Sequence, residues 1–78
     1  MAASKNRPMS ATECEREMKR HRTGYQAYQA ARALTRSAKT ARDRKAAAAE
    51  QEQHRPAYTA YKRAYARSLA LRKEAASA

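Results

Sequence analysis

The sequence predicts an all-α fold: two or three helices in an extended helical hairpin or small bundle, behind a disordered basic N-terminal tail. Three observations predict it. Ala, Arg, Lys, Gln, Glu and Leu, the strongest helix formers, dominate the chain. The β-branched residues are only Thr12, Thr23, Thr35, Thr40 and Thr59, with no Val or Ile, so nothing reads as a strand. The one Gly and the two Pro fall at the tail or near the proposed breaks between helices.

Residues 1–9 read as the disordered tail, with Lys5, Arg7 and Pro8, and residues 10–78 as a single helical domain. A first helix is expected over about 10–22. Ser10 with Glu13, and Thr12 with Glu15, have the spacing of a capping box. Ala11, Cys14, Met18 and His21 form its apolar stripe, and Lys19, Arg20 and Arg22 suit the negative end of its dipole. Thr23-Gly24 is the first expected break, with Thr23 and Gln26 capping a second helix over 24–53. Its apolar seam is narrow: Ala27, Ala30, Ala31, Leu34, Ala38, Ala41 and Ala48. Whether this helix is one rod or bends near 43–45 stays open on sequence alone.

Arg55-Pro56 is the second expected break, because Pro suits the first helical position and the residue before it avoids helical dihedrals. A third helix follows over about 56–76. At 100° per residue Tyr58, Tyr61, Tyr65 and Leu69 fall within about 80° of one another. Ala57, Ala60, Ala64, Leu71 and Ala75 widen that face, and Arg55, Lys62, Arg63, Arg67 and Lys73 make a basic back.

The chain also repeats itself. HRTGYQAY (21–28) returns as HRPAYTAY (54–61), an offset of 33 residues. Aligning 17–33 with 50–66 gives 8 identities in 17 positions, including Glu17/Glu50, His21/His54, Arg22/Arg55, Tyr25/Tyr58 and Tyr28/Tyr61. Each copy reads as a helix end, a break and a helix start: a corner where the two Tyr pack across the joint. A duplicated helix-turn-helix unit accounts for the offset. Tetratricopeptide repeats have a similar period, about 34 residues. Their Trp-Leu-Gly opening and closing Pro are missing here, and the repeat is not assigned to that family.

A chain of 78 residues holds at most one domain, and its core is poor. Of its 33 apolar residues 21 are Ala, with five Tyr, three Leu, three Met and one Cys. Long helices packed closely through Ala are expected, completed by a partner, a ligand or a second copy in a homo-oligomer. Eighteen Lys/Arg against seven Asp/Glu give a net charge of +11, which implies an anionic partner. The single Cys makes an internal disulfide impossible and fits a reducing, cytoplasmic setting. No apolar run approaches the roughly 20 residues of a membrane span, and the first residues lack a signal-peptide core. The Ala- and Arg-rich usage suits a GC-rich bacterial, phage or plasmid gene.

Chemistry of the catalytic or metal-binding kind is not expected. Cys14 and His21 stand about 10 Å apart by helical rise, too far for proton transfer. Glu17/His21 and Glu50/His54 are four apart, where di-metal bundles use three, and no zinc-type spacing occurs. No cofactor is expected. The leading expectation is a small non-enzymatic DNA- or RNA-binding protein, dominated by phosphate contacts and weakly sequence-specific. Its binding residues would be Arg32, Arg36 and Lys39 opposite the Ala seam, with Arg55, Lys62, Arg63, Arg67 and Lys73 on the third helix. The alternative is a helical adaptor or inhibitor of phage or plasmid type that docks on an acidic host protein.

Overall fold

The computed structural model describes residues 8–77. It contains three helices, α1 (Ala11–Ser37), α2 (Ala41–Gln53) and α3 (Arg55–Ser77), and no strand among the described residues. The all-α hairpin is therefore the observed fold. Residues 1–7 of the expected tail lie outside the described residues.

Ser10 starts α1 as expected. Its hydroxyl accepts from the Glu13 N–H at 3.2 Å, and its own N–H donates to Glu13 Oε1 at 3.1 Å. This reciprocal box satisfies two N–H groups that the first turn would otherwise leave orphaned. The helix then runs through Thr23-Gly24 without a break and ends at Ser37. The expected boundaries 10–22 and 24–53 are corrected here. Thr23 has a backbone N–H to keep the helical ladder intact, and Gly24 has no positive φ. The break lies instead at 38–40, where Ala38 and Thr40 are extended. Thr40 there caps α2, its hydroxyl accepting from the Asp43 N–H at 3.1 Å.

The second expected break is present but slight. His54 leaves helical geometry with φ −98° and ψ 3°, and α3 begins at Arg55. Pro56 is the cause: it has no N–H to return to Glu52 and its ring crowds the preceding turn. Yet the Tyr58 N–H still reaches the His54 carbonyl at 3.1 Å, so α2 and α3 follow one another almost end to end.

The α2–α3 arm folds back antiparallel along α1. Gln51 reaches Tyr28 and Thr35, Tyr58 meets Tyr28, Tyr61 meets Tyr25, and Arg67 meets Met9, so numbers rise on one arm as they fall on the other. The radius of gyration is 16.2 Å, well above the roughly 11.5 Å of a compact domain of this length. The buried apolar residues are few: Cys14, Tyr28, Ala31, Ala47 and Ala64. Of the expected Ala seam, Ala31 is buried while Ala41 and Ala48 are exposed, because the bend at 38–40 turns α2 onto Ala47 instead.

The repeat explains this packing. Its two copies are not two corners: they are the two sides of one helix–helix interface. Tyr25 and Tyr61 stack at 4.1 Å between ring centroids and 24° between planes. The equivalent pair, Tyr58 and Tyr28, stacks at 3.9 Å and 22°. Tyr25 and Tyr58, which are each other's equivalents, meet at 5.3 Å and 7°. Gly24 and its equivalent Ala57 also meet, so closely that a Cβ on Gly24 would overlap that of Ala57. The two copies are thus related by a local pseudo-twofold axis passing between these self-pairs. Buried residues obey it too: Cys14 and Ala47, and Ala31 and Ala64, occupy equivalent positions. So do the Glu–His contacts, Glu17–His21 at 3.6 Å and Glu50–His54 at 3.4 Å.

Candidate nucleic-acid interface

All five Tyr of the chain lie on one side of the hairpin. In the order Tyr28, Tyr58, Tyr25, Tyr61, Tyr65 they form a continuous ladder that alternates between the arms and ends with Tyr61–Tyr65 at 6.4 Å. Spacings of three and four residues keep the rings on one face of each helix. Hydrogen bonds hold two of the hydroxyls. Gln29 Nε2 donates to Tyr25 Oη at 3.1 Å, and Gln51 Nε2 donates to Tyr28 Oη at 3.1 Å. Gln51 Oε1 in turn lies 3.4 Å from the Thr35 hydroxyl. The Tyr stripe expected on the third helix is therefore the packing surface at Tyr58 and Tyr61. It is open at Tyr65 and Leu69, which are 49% and 42% exposed.

Cations border this ladder. Arg32 follows Tyr28 by four residues and Arg36 follows by four more, which places both on the stripe of Tyr28. Lys62 follows Tyr58 by four, and its Nζ lies 5.1 Å from that ring's centroid in a cation–π contact. Arg72 follows Tyr65 by seven and joins the same side. Arg72 was outside the sequence-derived set, although its seven-residue spacing from Tyr65 was a legible signal.

The eight expected binding residues do not form one cluster. Arg32, Arg36 and Lys62 border the Tyr face. Lys39 is not on the helical face with Arg32 and Arg36, because the chain is extended at 38–40; it lines a groove between α1 and α2 with Asp43. Arg63, one residue on from Lys62, lies about 100° further round α3, away from the Tyr stripe. Arg55 is tied to Glu52, donating at 2.6 Å and 3.0 Å, and this hydrogen-bonded carboxylate holds the guanidinium's pKa above its ordinary value. Arg67 is half-buried; its Nε donates to the Met9 carbonyl at 3.0 Å and its Nη1 lies 3.5 Å from Glu74. Arg67 thus fastens the start of α1 to α3. Arg32, Arg36, Lys39, Arg63 and Lys73 are exposed and make no ion pair among the described residues.

An apolar groove of about 790 Å³ lies between α1 and α2, lined by Ala27, Ala30, Ala31, Leu34, Ala46 and Ala47. Leu34 is 61% exposed within it. Among the described residues no three His, Cys, Asp or Glu are placed to hold a metal ion, and no helix is long and apolar enough to cross a membrane. Compared with known proteins, the chain matches no family model, no curated sequence and no solved structure.

Proposed function

We propose that this is a small non-enzymatic nucleic-acid-binding protein that takes hold of DNA or RNA through its phosphates. The observation that carries the reading is the surplus of cations, +11 in 78 residues, with Arg32, Arg36 and Lys62 bordering one face and others exposed without ion pairs. Unneutralised Arg and Lys on a rigid helical surface displace condensed counterions from a phosphate backbone, which gives affinity without reading base sequence. The Tyr ladder serves as the rigid support: it fixes the two arms and so the spacing of the cations on them.

The test is titration of the protein into labelled duplex DNA and structured RNA at two salt concentrations. Binding is expected to weaken steeply with salt, by a slope of about one for each phosphate neutralised. Replacing Arg32 and Arg36 with Gln is expected to weaken binding and flatten that slope, with helicity by circular dichroism unchanged. An unaltered affinity would remove this stripe from the site.

A second reading rests on a separate observation, the open groove around Leu34. It has an apolar lining contributed by two helices, as an adaptor that takes a helix of a host protein would require. Binding through it survives added salt, whereas phosphate binding does not.

A further inference from the structure

Among the described residues the exposed large apolar ones are Leu34, Tyr65 and Leu69. Shifted by the 33-residue repeat, their equivalents are Arg67, Arg32 and Arg36. Arg67 is half-buried, but Arg32 and Arg36 are exposed as Tyr65 and Leu69 are, so these last two are outer positions in both copies. At such positions the fold accepts Arg, and packing does not call for Tyr or Leu. Tyr65 and Leu69 are the adjacent pair, four residues apart on α3.

Tyr65 also ends the ladder. Its ring is nearly parallel to that of Tyr61, at 9°, and no further ring follows it among the described residues. At the other end Tyr28 is buried and its hydroxyl is held by Gln51. The stack is therefore closed at one end and open at the other. Beside the open end stand Lys62, three residues before Tyr65, and Arg72, seven after it, both exposed. The combination is an exposed aromatic ring continuing a preformed stack, an apolar neighbour, and cations about one helical turn before the ring and two turns after it.

Resting on the nucleic-acid reading above, we infer that Tyr65 is a stacking site for an unpaired nucleobase, with Leu69 beneath the base and Lys62 and Arg72 on the flanking phosphates. A base has a π-face to offer whatever its identity, so the site is indifferent to sequence but selects single strands, whose bases are free, over duplexes, whose bases are already stacked. Rigid support matters here, because Tyr61 and Tyr25 hold the platform in place before the base arrives.

The experiment is fluorescence anisotropy with the full chain and three labelled probes of equal phosphate number: a single strand, the same strand made abasic, and a duplex. Single-stranded DNA and RNA versions identify which source is preferred. Tyr65→Leu keeps apolar bulk and helix propensity but removes the ring; Tyr65→Phe keeps the ring. Tyr65→Leu is expected to bind the single strand about tenfold more weakly, with duplex binding unmoved. Tyr65→Phe should bind the single strand as the natural chain does, and the natural chain should bind the abasic strand as poorly as Tyr65→Leu binds the intact one. Equal affinity for intact and abasic strands, or a Tyr65→Leu loss shared by the duplex, overturns the stacking site and leaves phosphate binding standing. No binding of any probe at low salt overturns both.

Discussion

Gly24 shows how one atom decides this interface. A helical Gly on a solvent-facing surface is a weakness, and Ala in its place would add about 1 kcal/mol. Here a Cβ would collide with that of Ala57, and an Ala side chain has no flexible end to move aside. Overpacking of this kind costs about 1–3 kcal/mol, so Gly24→Ala is expected to lower the melting temperature despite the better propensity. Adding Ala57→Gly should restore most of the loss, since the pseudo-twofold axis makes the two positions interchangeable. A rise in melting temperature for Gly24→Ala alone would disprove the contact. Tyr61 makes the same point through a ring. It stacks on both Tyr25 and Tyr65 and is half-buried. Tyr61→Ala is expected to cost about 2 kcal/mol, less than a fully buried aromatic, whereas Tyr65→Ala, at the exposed end, should cost well under half of that in thermal melts.

At the scale of the element, one of the differences between the two copies of the repeat decides how each arm runs. Position 23 is Thr in α1, and its equivalent is Pro56 in α3. Thr keeps the ladder of hydrogen bonds intact, and α1 is straight through the repeat; Pro interrupts it, and the second arm breaks at His54. Thr23→Pro places the same interruption in the middle of a 27-residue helix. A cost of about 3 kcal/mol is expected, visible as loss of helical circular dichroism, because the α1 rod is what both α2 and α3 pack against. A helicity equal to that of the natural chain would show that α1 tolerates a joint there. The caps act at the same scale. Ser10 and Thr40 each take an N–H of the first turn, and Ser10→Ala is expected to cost about 1 kcal/mol through fraying of α1 beside the Met9–Arg67 bond.

The whole molecule is thin, elongated and strongly basic. Its buried residues are mostly Ala, so each contributes little, and stability comes from close approach of helices and from the Tyr ladder. Against this stands the mutual repulsion of the surplus cations. Salt at about 0.2 M screens charges beyond about 7 Å, so the melting temperature is expected to rise between about 0.02 and 0.2 M salt while nucleic-acid affinity falls over the same range. These opposite trends separate the two effects in one titration series. A melting temperature that falls with salt would mean that the ion pairs Arg20–Glu17, Arg55–Glu52 and Arg67–Glu74 outweigh the repulsion. The exposed surface does not follow the pseudo-twofold axis throughout: Arg32 and Arg36 on one arm stand where the other has Tyr65 and Leu69.

The all-helical class, the Ser10 cap, the weakness at Pro56, the Glu–His pairs and the importance of the HR-x-x-YxxY repeat were legible in the residues. Each rests on local physics: propensity, capping, a missing N–H, or groups one helical turn apart. The folding of the repeat onto itself was not legible, because a 33-residue offset is equally a repeated joint or a pair of facing surfaces. Nor was the meaning of Gly24, which reads as a breaker until Ala57 is seen against it. The turn at 38–40 had a local signal in Thr40-x-x-Asp43, but Thr23-x-x-Gln26 offered a rival one of equal strength. Only the antiparallel pairing of the arms chose between them, because a turn at 38–40 stacks five Tyr and buries both copies of the repeat's Ala, Ala31 and Ala64, in one interface.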